Sequence, residues 1–408
     1  MKNVLILFTA EFPYGKSETF LETEIDYLSK GFDEVIVISR SGKDKSPRSV
    51  PNNINLISVR AELSSQEKFK AIFNVFDSRF REELRIIKSI YNIRASFGIL
   101  KTMLISLQQG KRLQKVLKSQ LPLFSPQDKV VVYSYWCDDA ALACAMEKEK
   151  SNRITAISRI HRWDVYFEES KVNYLPFRTF LSEQLDKIFS ISSDGIEYAT
   201  THWKVDRNIF GLSHLGINYQ SGILRANQSN LRIVSCSNII PVKRLGLLVE
   251  ALKNMGETKL EWFHFGDGPE RMRIEEKVDG LPKTISVFMM GRIPNKEIYE
   301  NYKNLKPDIF INVSSSEGIP VSIMEAMSFG IPVIATDVGG TSEIVNEDNG
   351  YLLSSDPTAE EVSSTIEKFH QLSNEDIENK RKASYSTWEN KYNAQKNYSE
   401  FVEDILKL

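Results

Sequence analysis

Short apolar runs alternate along this chain with longer stretches in which apolar positions recur at helical spacing. A brief β-branched run bounded by turn residues reads as a buried strand, and recurrence every three to four residues reads as a helix. In the first half the predicted strands are Val4–Phe8, Glu34–Ser39, Lys129–Tyr135, Ile154–Ile160 and Lys187–Ser192. In the second half they are Arg232–Cys236, Leu260–Phe265, Ile285–Met290, Asp308–Val313 and Pro332–Thr336. Strands alternating with helices mark parallel α/β architecture, so each half is expected to fold as one doubly wound sheet. A polar stretch, Asn218–Asn230, is the predicted linker between a domain over residues 1–218 and a second over residues 219–387. The closing segment Thr387–Leu408 carries Tyr398, Phe401, Val402, Ile405 and Leu406 at helical spacing and reads as one helix. Such a helix needs a surface to cover, and residues 388–408 either lie on their own domain or cross back to join the first one.

Composition changes this picture little. A chain of 408 residues is long for one core, which favours two domains. At 41% apolar and 26% charged it has the balance of a soluble globular protein. A net charge of −2 gives no global attraction to nucleic acid, which is not expected as a partner. No apolar run approaches the roughly 20 residues of a membrane-spanning helix. The opening run Met1–Phe8 leads into acidic and aromatic residues without a small-residue cleavage site, so it reads as a first strand and not a leader. Three cysteines, Cys137, Cys144 and Cys236, are an odd and sparse set that reads as packed thiols in a reducing, cytoplasmic setting. Neither they nor the five scattered histidines have metal-site spacing, and no metal is expected.

One region departs from the average. Gln66–Lys118 holds twelve Lys/Arg against four Asp/Glu, interleaved with Phe69, Phe73, Phe76, Phe80, Ile86, Ile90, Phe97, Leu100 and Leu104. It reads as one or two basic amphipathic helices. Their basic face is either simply solvated or a peripheral docking surface for an anionic membrane at its inner face.

The candidate chemistry is concentrated in Ser314–Met327. A strand ends at Val313, a small-residue turn follows, and a helix begins with Pro320 in its first turn. Glu317 and Glu325 bracket the turn with seven residues between them, and both are expected to face the crevice at the strand ends, where open α/β sheets bind ligands. Backbone N–H groups at Gly318, Ile319 and Val321, the neighbour of Pro320, offer a phosphate site at a helix start. Ionised carboxylates accept hydrogen bonds from vicinal hydroxyls, which suits a sugar. The plainer alternative is an ordinary helix start with favourable dipole charges. A second strand, Pro332–Thr336, then ends in Gly339-Gly340, and Thr341-Ser342-Glu343-Ile344-Val345 opens another helix.

With these elements in order, the chain resembles glycosyltransferase family 4, the group 1 glycosyltransferases, and within it bacterial exopolysaccharide and lipopolysaccharide members. Phe265-Gly266-Asp267-Gly268-Pro269-Glu270 is similar to the family's Gly-Asp-Gly-Pro turn, and Ser213–Ile217 to the segment closing the first domain. Ile160-His161-Arg162-Trp163-Asp164 resembles the first-domain histidine element, and Phe12–Phe20 the opening loop. The similarity runs through nearly the whole chain and is weakest across Gln66–Lys118. It implies the GT-B fold, two Rossmann-like domains facing a central cleft. It also implies retaining, metal-independent transfer of a sugar from a nucleotide-diphosphate donor, UDP- or GDP-linked, to a glycan or lipid-linked acceptor.

The resemblance further implies residue roles. Glu325 would lie toward the ribose, Glu317 toward the sugar hydroxyls, and Lys243 would neutralise the departing phosphate, with His161 at the reacting centre. Gly266 and Gly268 would border the donor. Gly15, Glu18, Trp136, Asp138 and Asp164 are candidates for the acceptor side. Trp136 and Trp163 are either sugar-stacking platforms or core residues, and Glu18 and Asp138 either acceptor contacts or helix caps. One departure stands out: Ser237-Asn238 occupies the place of the family's Gly-Arg, five residues before Lys243. Arg244 is either a partial replacement for that missing cation or a solvated helix-start residue.

Gly15-Lys16-Ser17 imitates the end of a phosphate-binding loop, but Ala10 stands where that loop needs glycine, and Phe12, Pro13 and Tyr14 are too bulky to wrap phosphate. A sugar-nucleotide epimerase, or a degenerate nucleotide-sugar binder without turnover, are the rival functions.

Overall fold

The computed structural model describes residues 1–15, 17–41, 46–220, 222–224 and 230–408. Lys16 of the opening loop and residues 221 and 225–229 of the expected linker lie outside them. Two compact units emerge: residues 1–214 with 395–408, and residues 215–394.

Among the described residues, the first unit holds a seven-stranded parallel sheet. Its strands are β1 Asn3–Thr9, β2 Glu34–Ser39, β3 Ile54–Ser58, β4 Lys129–Ser134, β5 Ile154–Ile160, β6 Lys187–Ser190 and β7 Phe210–Leu212. They lie in the order β3-β2-β1-β4-β5-β6-β7. The second unit holds β8 Leu231–Cys236, β9 Leu260–Phe265, β10 Ile285–Gly291, β11 Ile309–Asn312, β12 Val333–Thr336 and β13 Gly350–Leu353. Their order is β10-β9-β8-β11-β12-β13, again all parallel. In each sheet the order reverses beside the first strand, at β1/β4 and at β8/β11, and the crevice outside the strand ends at such a point is where ligands bind. This is the α/β fold of two Rossmann-like sheets expected from the alternation of runs.

The period of two along a strand explains the burial. Val4, Ile6 and Phe8 join Ile36, Ile38, Val130 and Val132 in one layer, packed against Leu107, Leu113 and Leu142. Leu5 and Leu7 point the other way with Val35, Val37, Val131 and Tyr133, against Leu21, Ile25, Phe401 and Ile405. Because helices cover both faces, the strands need no polar alternation. The three strands absent from the sequence reading are β3, β7 and β13, all at sheet edges. A short edge strand has only one neighbour and partly exposed positions, so its apolar signal is weak.

The closing segment corrects one expectation. Residues 387–408 are not one helix: Asn374–Lys391 ends before Tyr392–Asn393, and Ala394–Lys407 follows. Ile217 takes the backbone groups there, donating its N–H to Tyr392 O at 2.8 Å and accepting from Ala394 N at 3.1 Å. The approach requires glycine next door, because a Cβ on Gly216 would sit 2.4 Å from Ala394 Cα. The final helix buries Phe401, Val402 and Ile405 in the core of the first unit.

Candidate functional site

In the second unit, β11 delivers Asn312 and the loop that follows to the carboxyl end of the sheet. Asn312 accepts from Ser314 N at 2.9 Å and donates through Nδ2 to Glu317 Oε1 at 3.2 Å. Lys243, at the end of a single 3₁₀ turn after β8, donates to the same carboxylate oxygen at 2.5 Å. The Gly-Gly turn after β12 braces this loop from behind. Gly340 N donates to Gly318 O at 2.8 Å, and a Cβ on Gly339 would lie 2.0 Å from Glu317 O. Gly339 also has φ +52°, a conformation side chains disfavour. Two strands thus cooperate to present one carboxylate and one ammonium at the topological switch point.

Pro320 stands just before the helix Val321–Met327 rather than inside its first turn. Gly318, Ile319 and Pro320 are buried in the approach to that helix. Glu325, two turns away from Glu317, is buried too. Its Oε1 accepts from Tyr299 Oη at 2.8 Å and from Asn295 Nδ2 at 2.9 Å, both on the helix Asn295–Leu305. Burial pushes its carboxyl up to about 7, against the smaller opposing effect of the Tyr299 hydrogen bond. The two carboxylates therefore live in different environments: Glu317 is held beside a cation, and Glu325 is packed under a neighbouring helix.

Arg244 is committed to structure. Its left-handed backbone (φ +47°) begins the helix Leu245–Lys253, and its guanidinium donates to the carbonyls of Val313 at 2.7 Å, Ser314 at 3.0 Å and Ser355 at 3.3 Å. It also pairs with Asp356 at 2.8 Å. The β11 loop is tied down by this arginine. The turn after β9 lies directly on the loop after β8: a Cβ on Gly266 would fall 1.8 Å from Ser237 O, and one on Gly268 2.3 Å from Ile239 O. Asn238 sits in that loop, and its Oδ1 accepts from Arg292 Nη2 at 2.6 Å. Arg292 follows β10 directly and was missed by the sequence reading. The signal available was its place, a cation immediately after a strand that ends in glycine.

The first unit assembles a second cluster at the ends of β4 and β5. Asp164 accepts from His161 N at 2.8 Å and from Cys137 N at 2.9 Å, stitching the two strand ends together. The His161 ring is buried against Trp136, Tyr135 and Phe20, with centroids 4.3, 4.8 and 6.0 Å away. Among the described residues its ring nitrogens have no hydrogen-bond partner, Nδ1 lying 3.8 Å from Asp164 Oδ2. Burial lowers its pKa, so the imidazole is neutral. Glu18 accepts from the backbone N–H groups of Ala10, Glu11 and Phe12 and from Trp136 Nε1, at 2.6–2.9 Å, which makes it the organiser of the opening loop. Gly15 closes the turn within that loop, with its N–H on Glu11 O at 3.0 Å. Asp138 caps the helix Asp139–Lys148 and pairs with Arg40. On β5, Arg159 is fully buried and paired with Glu24 at 2.7 Å, another group without a sequence signature.

Beside this cluster lies a cavity of about 370 Å³ lined by Asp138, Asp139, Trp163, Glu169 and Arg178 among others. Trp163 is partly exposed and packs on Trp136 at 5.1 Å. Burial, with Asp138 adding to it, pushes Asp139 up to about 6. Among the described residues no group of three or more His, Cys, Asp or Glu is placed to hold a metal ion.

Residues 219–386 match the family model described as Glycosyl transferases group 1. The chain is 24% identical over 235 residues to the UDP-N-acetylglucosamine--peptide N-acetylglucosaminyltransferase GtfA subunit of Streptococcus parasanguinis, covering 56% of this chain and 44% of that one. It is 26% identical over 180 residues to the putative colanic acid biosynthesis glycosyltransferase WcaL of Escherichia coli (strain K12), covering 42% and 44%. The chain thus spans less than half the length of these curated relatives. Over whole chains, a glycosyltransferase structure from Rickettsia africae ESF-5 superposes with a TM-score of 0.68 at 16% identity, covering 100% of this chain and 99% of that one. Anabaena HepE, solved in complex with UDP, gives 0.66 at 13% identity and full coverage of both. The structural likeness is one of fold, the GT-B fold, and the match to the group 1 glycosyltransferase model lies in residues 219–386.

Proposed function

We propose that this chain, whose second unit carries the match to the group 1 glycosyltransferases, is a retaining transferase of family 4 type. It moves a sugar from a nucleotide diphosphate to a glycan or lipid-linked glycan in surface polysaccharide synthesis. The observation that carries the reading is the Lys243–Glu317 pair, clamped by Asn312 and braced by Gly339-Gly340 at the switch point of the second sheet. In this reading the diphosphate lies beside Lys243 and the loop Gly318–Val321, and charge developing on the departing phosphate is met by fixed donors without a metal. Glu317 accepts from sugar hydroxyls, and Lys243 in turn orients it. Glu325 lies toward the ribose. His161, a ring in an aromatic wall with Asp164 as the residue that positions it, is the first unit's candidate group for the transfer. Catalysis is by placement and electrostatics, and no covalent sugar–enzyme link through Glu317 is invoked.

Turnover of a labelled nucleotide sugar tests this. Lys243→Ala should lower kcat by on the order of a hundredfold or more, the usual loss when a preorganised charge partner of the transition state is removed. Transfer undiminished in that variant contradicts the reading. Interconversion of the donor sugar without transfer would point to an epimerase instead.

An anionic membrane is the proposed neighbour of the first unit. The segment Ser65–Lys70 and the 3₁₀ turn Ala71–Phe76 expose Phe69 (65%), Phe73 (60%) and Phe76 (76%) together with Ile72. Aromatic residues standing in water on one short segment mark an interaction surface, and the exposed Lys68 and Lys70 beside them favour anionic headgroups. No helix among the described residues is long and apolar enough to cross a membrane.

A further inference from the structure

At the strand ends of the second unit, the cations differ in what already holds them. Lys243 is paired with Glu317. Arg244 is bound by three carbonyls and Asp356. Arg271 is bound by Glu275 at 2.8 Å, Asp267 at 3.5 Å and Met289 O at 3.3 Å. Arg292 is exposed and donates to the side-chain oxygen of Asn238, and among the described residues it forms no ion pair. An amide oxygen is a neutral acceptor, so it orients a guanidinium while leaving its charge and its other N–H donors available.

The sheet order explains how Arg292 reaches Asn238. The strands run β10-β9-β8, so the loops after β10 and β8 must meet across the end of β9. The turn after β9 is pared to glycine at that crossing: Gly266 has φ +145° and donates its N–H to Gly291 O at 2.9 Å. A side chain there would collide with Ser237 O. The loops can therefore close on each other over β9. An arginine in place of Asn238 would put two like charges at this contact.

We propose that Arg292 is the second cation for the donor diphosphate, with Asn238 as the residue that positions it. The inference rests on the group-transfer reading above. As the bond from the anomeric carbon to the β-phosphate oxygen breaks, its electron pair stays on that oxygen. The acceptor hydroxyl oxygen makes the new bond to the anomeric carbon, and its proton leaves to the departing diphosphate. Negative charge grows on the diphosphate before that proton arrives, and a guanidinium with open donors stabilises it in a bidentate manner.

The test is isothermal titration of the full chain, wild type and Arg292→Ala, with UDP, UMP, GDP and GMP. For the base that wild type binds, the inference predicts that Arg292→Ala weakens the diphosphate about tenfold or more, the scale of a lost charge-assisted hydrogen bond, and the monophosphate much less. Arg292→Lys should recover part of the loss, and the melting temperature should hold because the side chain is exposed. Equal weakening of mono- and diphosphate would overturn the inference by making Arg292 a base or loop contact, and no weakening would overturn it outright. If wild type binds neither diphosphate, the reading of a UDP- or GDP-linked donor fails, whereas unchanged binding by the variant defeats this inference alone.

Discussion

Glu325 binds its proton more tightly in the folded chain than a free carboxyl does, because burial pushes it up to about 7 from an ordinary value of 4.5. Between those two values the folded state holds more protons than the unfolded state, so the contribution of Glu325 to stability falls as pH rises through that window. Below it the group costs nothing, and above it the buried charge weighs against folding in full. Glu325→Gln should therefore flatten the decline in melting temperature between about pH 5 and pH 8, and an unchanged slope would contradict the burial account. The sequence marked Glu325 and Glu317 through spacing within one strand–turn–helix element, and Lys243 only through the family resemblance. It could not tell Arg244 from Arg292. Arg244 follows Lys243 in sequence, yet its left-handed backbone turns the guanidinium to the carbonyls of Val313 and Ser314. Arg292 reaches Asn238 from a different strand, a relation that only the sheet order creates. Glu18 was equally opaque: its four short hydrogen bonds come from a loop and from Trp136, more than a hundred residues away in sequence.

Buried central strands announced themselves: β1 and β4 are covered on both faces and carry continuous apolar runs, and β5, β8 and β9 keep enough apolar positions between their polar ones to read as strands. Edge strands such as β7, with Gly211 at its centre, did not, and neither did the break at Tyr392–Asn393, which depends on pairing with Ile217. The segment Gln66–Lys118 was legible in composition but not in detail. Two of its arginines are engaged, Arg79 by Asp77 and Glu149 and Arg85 by Glu82, so charge reversal at those two disturbs the fold's own ion pairs. The exposed aromatics are the better handle. Replacing Phe69, Phe73 and Phe76 together by Ser should abolish co-sedimentation with phosphatidylglycerol vesicles while leaving the melting temperature near that of the wild type, because none of the three is buried. Vesicle binding unaltered by that change would dismiss the segment as a docking surface.

At the scale of the whole molecule, two doubly wound sheets were foreseeable because every crossover helix returns the chain to a parallel strand. What each unit binds depends on loops at strand ends, where meaning lies in contacts between distant segments. The central claim is that the second unit holds a nucleotide-diphosphate sugar at Lys243 and Glu317. The most direct measurement is a thermal-shift panel of UDP-, GDP-, ADP- and dTDP-sugars without divalent metal, on wild type and Glu317→Ala. A ligand at a hundred times its dissociation constant stabilises the fold by about 2.7 kcal/mol, which is readily seen as a shift in melting temperature. The account predicts that one nucleotide family raises the melting temperature of the wild type and does so much less for Glu317→Ala. No shift from any donor, or an equal shift in both proteins, would contradict it.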